Sequence, residues 1–415
     1  MPNLKIAILS YRSAPFGGGQ GVYVHDISKA LTERGHKVDI ISGPPYPKVP
    51  EGVNLIKLPG LDLFQTFSFK ERIKIFKNKK KKNILDYFEF CSVLLGGFPE
   101  MKTFGHRCHN YLIQNTDYDT VIDNQSLSYG MLEIQKMFPF IEIIHHPITK
   151  DYKHDLLANN KLLYRFSRYR WYSFLNMQKR VAPKIKNIIT PSSNSSQDIA
   201  KDFRCNESNI TVIHNGLDVN IFVPYEDIRR DPFKLITTAS ADVPLKGLDY
   251  TLTALSILKN EFQNMNLTVI GKLKKDGHTS RLIEKLGISD SIVFKTNLTK
   301  KEIAEEYAKS SVAIVSSLYE GFGYPVIEAM SCSTPLIAAN TSSIPELVGN
   351  YATLIPPKDS TSLANSIKLI INNYDKYKSI SNKGRDHIIK NFNWLKITDE
   401  YEDSIYKAID EHNKC

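Results

Sequence analysis

Cysteine is scarce in this sequence, and its distribution excludes two classes of protein. Five cysteines occur among the 415 residues; they are odd in number, scattered and never spaced as Cys-x-x-Cys. Structural zinc sites and disulfide frameworks need paired or closely spaced cysteines, so the pattern argues against both and favours a reducing compartment. We therefore expect a cytoplasmic protein without a structural metal site.

Long apolar runs are also missing. No run reaches the roughly 18 residues that a membrane span needs. A strand pattern begins almost at once, at residues 4–9, which leaves no room for a signal peptide. With 42% hydrophobic and 24% charged residues, the composition is that of a globular protein. The length allows two domains of about 200 residues each.

Acidic residues are under-represented in the first half only. Residues 1–200 carry 28 Lys+Arg against 17 Asp+Glu, a net +11, whereas residues 201–415 carry 26 against 27, a net −1. Five lysines fall within residues 77–82, close to the apolar segment 88–98. Such a run is most often a solvated face, but beside aromatic residues it could also bind anionic lipid. The basic first half therefore suits either of two partners, an anionic surface at the inner face of the membrane or a phosphorylated acceptor.

Residues 311–340 predict a βαβ unit with a parallel sheet. The β-branched run 312–315 has the length of a buried strand, and the loop after it contains Gly321 and Gly323. Pro325 is typical of a first helical residue, because proline fixes φ and loses only an amide that has no helical partner. Residues 336–339 form the next short strand. Open α/β sheets bind ligands at the loop that follows such a strand.

This loop has the features of an anion site framed by two carboxylates. Free amides at a helix N-terminus suit a phosphate, and glycine allows a close approach. Glu320 and Glu328 are eight residues apart and could both face the ligand. Carboxylates beside a phosphate are explained if they accept hydrogen bonds from the hydroxyls of a nucleotide sugar.

The segment from Glu320 to Met330 resembles the Glu-(seven residues)-Glu signature of the retaining glycosyltransferases of family 4. The resemblance implies an α/β protein of the GT-B fold, with two Rossmann-like parallel-sheet domains facing an interdomain cleft. It implies that Glu320 holds the donor sugar and Glu328 the ribose. The residues implied in binding the sugar and diphosphate between them are Gly321, Phe322, Gly323, Tyr324 and Pro325.

A second glycine-rich loop lies near the start of the chain, at Gly17, Gly18 and Gly19. A dinucleotide fingerprint would need glycine in place of Val22 or Val24, depending on the frame, so an oxidoreductase is disfavoured. An amide-rich loop before a helix can still contact a phosphate. The loop also resembles the first glycine loop of family 4 enzymes, and we expect it to contribute to donor binding.

His145 and His146 follow the predicted strand 141–144. The resemblance implies a histidine here that contacts the donor sugar; we assign it to His145, with His146 as the rival. A zinc pair is disfavoured, because adjacent strand side chains point to opposite faces.

The expected diphosphate clamp is incomplete. Family members usually have an arginine and then a Lys-Gly pair after the first strand of the second domain. Lys246 matches the lysine, but the arginine is replaced by Ser240-Ala241-Asp242. Lys272, which follows the next predicted strand, is our candidate for the missing charge.

The domain boundary is predicted near residue 218. We expect an acceptor-side domain at 1–217, a nucleotide-sugar-binding domain at 218–392, and a C-terminal helix at 393–415 that packs back on the first. The arginine- and aromatic-rich residues 153–182 are predicted to form a long helical stretch, and the resemblance implies that it packs on the sheet. An acceptor or membrane role is the second interpretation. Nucleic-acid binding is the least favoured reading of it, because no accompanying motif is present.

Together these patterns predict a retaining, metal-independent glycosyltransferase with no cofactor besides its nucleotide-sugar substrate. The catalytic candidates are Glu320, His145 and Lys246. We expect the acceptor to be a hydroxyl of a glycan or a lipid-linked glycan, in the synthesis of a cell-surface polysaccharide or glycolipid. A nucleotide-sugar 2-epimerase and a non-catalytic nucleotide-sugar binder remain as alternatives.

Overall fold

The computed structural model describes residues 2–13, 19–66, 68–158 and 161–414. The chain divides into two compact units. Unit 1 contains Met1–Pro191, Ser195–Ile213 and Thr398–Cys415, and unit 2 contains Ser192–Asn194 and His214–Ile397. The chain thus passes from unit 1 to unit 2 mainly at His214, four residues before the domain boundary predicted from the sequence.

Unit 1 contains a seven-stranded parallel sheet in the described residues, with the order β3-β2-β1-β4-β5-β6-β7. Its strands are β1 (Lys5–Ser10), β2 (Lys37–Ser42), β3 (Asn54–Lys57), β4 (Thr120–Asn124), β5 (Phe140–Ile143), β6 (Ile188–Thr190) and β7 (Ile210–Val212). The helices along this part of the chain are α1 (Gly19–Glu33), α2 (Phe69–Asn78), α3 (Ile84–Leu94), α4 (Glu100–Leu112), α5 (Tyr129–Met137), α6 (Thr149–Ala158), α7 (Leu162–Trp171), α8 (Leu175–Val181) and α9 (Ser193–Phe203).

Unit 2 contains a six-stranded parallel sheet in the described residues, with the order β10-β9-β8-β11-β12-β13. Its strands are β8 (Asp231–Thr238), β9 (Asn266–Ile270), β10 (Ile292–Lys295), β11 (Ser310–Val315), β12 (Leu336–Ala339) and β13 (Thr353–Ile355). Its helices are α10 (Leu248–Lys259), α11 (His278–Leu286), α12 (Lys300–Lys309), α13 (Tyr324–Ser331), α14 (Ile344–Val348), α15 (Ser360–Asn372) and α16 (Tyr374–Asn391). The last helix, α17 (Trp394–Asn413), belongs to unit 1 from Thr398 onward.

Each sheet contains strands that were predicted above, β1 and β5 in unit 1 and β11 and β12 in unit 2. Helices cover both faces of a parallel sheet, so its central strands are buried throughout, as β4 and β11 are. In each unit the strand order reverses once, between β1 and β4 and between β8 and β11. Two Rossmann-like units are therefore confirmed, and each has a switch point where the loops diverge and a ligand can enter.

The closing helix packs against the first helix of unit 1. Tyr401 of α17 and Tyr23 of α1 are both buried, and their hydroxyl oxygens lie 2.5 Å apart. Glu402 lies 2.9 Å from the Nε2 atom of His36, the residue that precedes β2.

The stretch 153–182 differs from its prediction. It consists of α6, α7 and α8, and residues 159–160 lie outside the described part. Only the last portion is buried, at Phe174, Leu175 and Val181. On α7, Leu162 is 84% exposed and Leu163 86% exposed, so this helix does not pack on the sheet as expected. Its apolar residues do have helical spacing, but periodicity identifies a face and not the surface that covers it.

No helix in the described ranges has both the length and the apolar composition to cross a membrane.

Candidate active site

The switch point of unit 2 brings together the loops that follow β8 and β11. The amide of Leu318 donates to the carbonyl of Leu245 at 2.7 Å, and the Ser316 hydroxyl donates to the carbonyl of Gly247 at 2.9 Å. Gly247 has φ of +62°, and a Cβ there would lie 2.0 Å from the Ser316 carbonyl oxygen. Glycine is therefore required for this approach, and the neighbouring Lys246 is fixed beside the loop after β11.

Lys246 forms an ion pair with Glu320 across these two loops. Their Nζ and Oε1 atoms are 2.7 Å apart, and the side chains are 31% and 11% exposed. Ser317 donates to the same oxygen at 2.7 Å, and Ser342 accepts from the Glu320 amide at 2.9 Å. Within the described part of the chain both hydrogen bonds to this carboxylate end on Oε1. Its position is thus set without using Oε2.

Gly323 begins the helix after this loop in a backbone geometry that other residues rarely adopt. It is the N-cap of α13, with φ of 121° and ψ of 59°. Ser343 donates to the carbonyls of Glu320 (3.0 Å) and Phe322, which holds the loop from the other side. Neither the Phe322 nor the Gly323 amide donates a hydrogen bond to another described residue. Two amides at a helix N-terminus are the donors that an anion needs.

Glu328 lies one turn into α13, where it meets a buried tyrosine. The Tyr307 hydroxyl donates to Glu328 Oε2 at 3.3 Å and lies 3.1 Å from the Thr238 hydroxyl at the end of β8. Burial, and then the Glu328 charge, raises the pKa of Tyr307 well above its usual value. Tyr307 therefore stays protonated and orients the Glu328 carboxylate.

The loop after β8 carries Ser240-Ala241-Asp242 in the place where family members have an arginine. Asp242 has φ of 60°, and its Oδ1 atom accepts from the Thr279 amide at 2.8 Å, which ties it to the start of α11. This carboxylate therefore has a structural partner. Lys272 is exposed and follows β9, the neighbour of β8 at the same sheet edge. It is thus a second cation one strand away from Lys246.

In unit 1, His145 is held by the loop after β4. Its Nε2 atom is 2.8 Å from Asn124 Oδ1, and its amide donates to Gln125 Oε1 at 2.9 Å. The Tyr23 ring packs edge-on at 4.7 Å between centroids. Burial, and then the His146 charge, lowers the pKa of His145 to about 3. The ring is therefore neutral at physiological pH, and with Nε2 as donor its Nδ1 atom is an acceptor.

His146, the rival candidate, has a different environment. Its Nε2 atom is 2.8 Å from Oδ2 of Asp151 on α6. Its backbone carbonyl accepts a hydrogen bond from the side-chain Nε2 atom of Gln125 at 2.9 Å. The Gln125 side chain thus positions the backbone of both histidines, a role that was not predicted from the sequence. The signal for it was a polar Asn-Gln-Ser triplet directly after a buried strand.

A pair of buried carboxyl groups under this loop was also missed. Asp123 on β4 and Glu142 on β5 are register partners, and both are fully buried. Burial, and then the Asp123 charge, raises the pKa of Glu142 well above its usual value, so Glu142 keeps its proton at neutral pH. Asp123 Oδ2 in turn accepts from the Ser126 amide and hydroxyl at 2.8 and 2.7 Å. The pair fixes the turn that carries Asn124 and Gln125.

Part of the first glycine loop cannot be placed. Gly17 and Gly18 lie outside the described residues, and Gly19 is exposed at the first position of α1. Their contribution to donor binding stays a prediction. No group of three or more His, Cys, Asp or Glu residues in the described ranges is arranged to hold a metal ion.

Two family descriptions match the two parts of the chain. "Glycosyltransferase Family 4" matches residues 17–221, and "Glycosyl transferases group 1" matches residues 226–387. The MMP alpha-(1->4)-mannosyltransferase of Mycolicibacterium hassiacum is 37% identical over 99% of this chain and 100% of its own length.

Solved structures show the same fold. The sucrose-phosphate synthase of Thermosynechococcus elongatus superposes with a TM-score of 0.75 at 19% identity, over 97% of this chain and 98% of its own. HepE of Anabaena, solved in complex with UDP-glucose, superposes with a TM-score of 0.69 at 16% identity, over 98% and 100%. The sheets, the loop that carries the two glutamates and these relatives agree: the chain belongs to the family 4 glycosyltransferases and is an enzyme of the GT-B type.

Proposed function

We propose that this protein is a retaining, metal-independent mannosyltransferase. It transfers mannose from a nucleoside-diphosphate donor to a hydroxyl of a glycan and forms an α-(1→4) linkage. The carrying observation is the Lys246–Glu320 pair beside the Phe322 and Gly323 amides, which precede α13. The choice of mannose and linkage follows the name of the relative from Mycolicibacterium hassiacum.

The proposed chemistry needs positive charge at the leaving group and hydroxyl acceptors at the sugar. The bond between the anomeric carbon and the diphosphate oxygen breaks, and the acceptor oxygen bonds to the same face of that carbon. The acceptor proton passes to the departing diphosphate. Lys246 and the α13 dipole stabilise the charge that develops there, which is the largest contribution expected of such a site.

The remaining candidates position the donor. Glu320 accepts from sugar hydroxyls through its open Oε2 atom, and Glu328 accepts from the ribose. Neutral His145 offers Nδ1 as a further acceptor for a sugar hydroxyl. Lys272 supplies the second cation that the usual arginine would give. The amides of Gly321, Phe322, Gly323 and Tyr324, with the dipole at Pro325, receive the diphosphate, and the Gly17–Gly19 loop assists them.

The product named for the relative supports the proposal of retention. Common nucleoside-diphosphate hexoses such as GDP-mannose are α-linked, so an α product keeps the configuration. No carboxylate nucleophile of the kind retaining glycosidases use is required.

The test is a panel of UDP-, GDP- and ADP-hexoses. Thermal stabilisation identifies the donor, because a ligand that binds only the folded state raises the melting temperature. Turnover with an α-(1→4)-linked mannotriose is then followed with and without EDTA, and the anomeric coupling of the product is read by NMR. Donor lost without acceptor would indicate the 2-epimerase. Binding without turnover would indicate the non-catalytic binder, and loss of activity in EDTA would refute metal independence.

We propose, second, that unit 1 meets an anionic membrane surface through α7. Leu162, Leu163 and Phe166 are 84%, 86% and 64% exposed, and this helix carries arginines and no acidic residue. The lysine run contributes less than its count indicates, because Lys79 is paired at 2.7 Å with the buried Asp86. Binding to phosphatidylglycerol vesicles should exceed binding to phosphatidylcholine vesicles and fall in Leu163→Gln. Equal binding to both would remove the membrane proposal.

A further inference from the structure

An arginine, two carboxyl groups and a wall of aromatic rings meet beside the end of β1 in unit 1. Arg12 lies two residues after β1, at the sheet edge where β1 and β4 diverge. Its guanidinium group is 4.3 Å from the centre of the Phe64 ring and 3.3 Å from Glu100 Oε2. The side chains of Arg12 and Glu100 are only 18% and 14% exposed. The charge is thus held in place by stacking on one side and by a carboxylate on the other.

Two carboxylate oxygens in this group are buried without a partner. Neither Glu100 Oε1 nor Asp62 Oδ1 has a hydrogen bond to any described residue, although both atoms are shielded from solvent. A buried acceptor left unsatisfied costs stability. Burial raises the pKa of Glu100 to about 7 and raises that of Asp62, with the Arg12 charge opposing the shift in both. Asp62 also has φ of 49°, in the left-handed region that few non-glycine residues adopt, although aspartate adopts it more readily than most. An ion pair with only a structural role does not require buried carboxylate oxygens without partners or raised carboxyl pKa values.

The aromatic wall consists of Phe64, Phe98 and Trp171. Their ring centres are 5.0 to 5.3 Å apart, and each side chain is only partly buried. Trp171 is the last residue of α7, so three separate parts of the chain contribute to the wall. Such rings present an apolar face to a ligand whose polar groups reach the carboxylates.

We propose that Arg12, Asp62 and Glu100, with the Phe64 and Trp171 rings, form the acceptor-sugar subsite of unit 1. The ligand is a neutral pyranose. Its hydroxyls donate to the open oxygens of Asp62 and Glu100 and accept from Arg12, and its C–H face packs against the rings. This inference rests on the proposed function, because it identifies the acceptor of that reaction.

The local charge selects a neutral ligand. One guanidinium faces two carboxyl groups, and Glu89 lies close enough to raise the pKa of Glu100 further, while Arg107 opposes it. With all of these groups ionised the two arginines face three carboxylates. A phosphorylated acceptor is therefore repelled here, although residues 1–200 as a whole are basic.

The alternative is that Glu100 only fastens α4 to the end of β1. The melting temperature does not separate the two explanations, because both keep Glu100 in the same buried contacts. Only the subsite predicts a change in the acceptor KM that the donor KM does not share.

Binding is tested first, without turnover. The chain has two tryptophans, so the fluorescence of Trp171 can be assigned by comparing the wild type with Trp171→Phe. Methyl α-D-mannopyranoside and α-(1→4)-mannotriose are titrated with the nucleoside diphosphate that stabilises the protein most. We expect saturable quenching that is absent in Trp171→Phe. Mannose 1-phosphate should not compete; quenching by it alone would overturn the neutral class.

Kinetics then separate the subsite from the donor site. Asp62→Asn and Glu100→Gln should raise the acceptor KM about tenfold, as expected for weakening one hydrogen bond to a charged group. The donor KM should stay within about twofold. Asp198→Asn, which removes a partly buried ion pair with Lys150 in the same unit, is the matched control and should leave both constants unchanged.

The outcomes separate this inference from the proposed function. An unchanged acceptor KM in both variants, with normal transfer in the wild type, overturns the subsite and leaves the mannosyltransferase standing. Quenching that depends on Trp171, in a protein that turns over no mannosyl donor, supports the subsite and refutes the assignment of the donor. Absence of quenching by either neutral sugar overturns the subsite.

Discussion

Replacing Glu100 by glutamine should stabilise the protein, and increasingly so as the pH rises. The pKa of Glu100 is about 7 in the folded chain against 4.5 for an unperturbed glutamate. A raised folded pKa means that the folded state favours the protonated carboxyl. The contribution of Glu100 to folding stability is therefore greatest below pH 4.5 and is lost as the pH rises through about 7. Glutamine resembles the protonated form and has no such loss.

The size of the effect follows from the shift in pKa. A difference of 2.5 between 7 and 4.5 corresponds to about 3 kcal/mol at 1.36 kcal/mol per unit, an upper value that is reached near pH 8. For a domain the size of unit 1 this is about 6–12 °C in melting temperature. The side chain is 14% exposed, so screening by solvent removes little of it.

Scanning calorimetry of Glu100→Gln and the wild type at pH 5, 6, 7 and 8 measures the effect. The advantage of the variant should be small at pH 5 and grow to a plateau near pH 8. Glu133→Gln is the control, because the hydrogen bond from Lys136 lowers the pKa of the exposed Glu133 carboxyl. This carboxyl therefore does not titrate between pH 5 and 8. An advantage of Glu100→Gln that stays constant from pH 5 to 8 would refute the reasoning.

Four further predictions concern the donor and the histidine. Glu320→Gln should lower kcat at least about a hundredfold yet bind the nucleoside diphosphate up to fivefold more tightly, because Lys246 is released from its ion pair; weaker diphosphate binding by calorimetry would contradict this. Glu328→Gln should do the reverse, weakening nucleotide binding about tenfold with little effect on kcat, and swapped effects in the two variants would reject both roles. Lys272→Ala should weaken diphosphate binding by about fivefold, and more at low than at high salt; equal loss at both would argue against a direct charge contact. His145 has a pKa lowered to about 3, so folding stability should fall as the pH drops from 6.5 toward 3, and His145→Gln should flatten that part of the profile.

The candidate donor site was predictable because most of it is local. A β-branched strand, a glycine loop and a proline-initiated helix place Glu320 and Glu328 within one βαβ unit, and the structure confirms β11, α13 and β12 within two residues of the predicted bounds. The strand patterns at 4–9 and 141–144 likewise correspond to β1 and β5, whereas β3 and β10 were not predicted. Apolar spacing is sufficient for this, since a strand buried on both faces has no other stable environment.

Contacts between distant residues depended on the tertiary structure. The Lys246–Glu320 pair joins residues 74 apart, and Arg12 meets Glu100 across 88 residues. Nothing in the spacing of either residue identifies its partner, because the order of strands in the sheet decides which loops meet.

The sequence by itself thus determined the family, the fold class of two parallel-sheet domains and the segment that carries the two glutamates. The tertiary structure alone decided that α7 is exposed, that Asp242 binds the start of α11 in the place of an arginine, and that the oxygens of Asp62 and Glu100 are buried without partners. The physical reason is that periodicity specifies which face of an element is apolar. Which neighbour covers that face, and which charges are buried with it, is set only when the whole chain has packed.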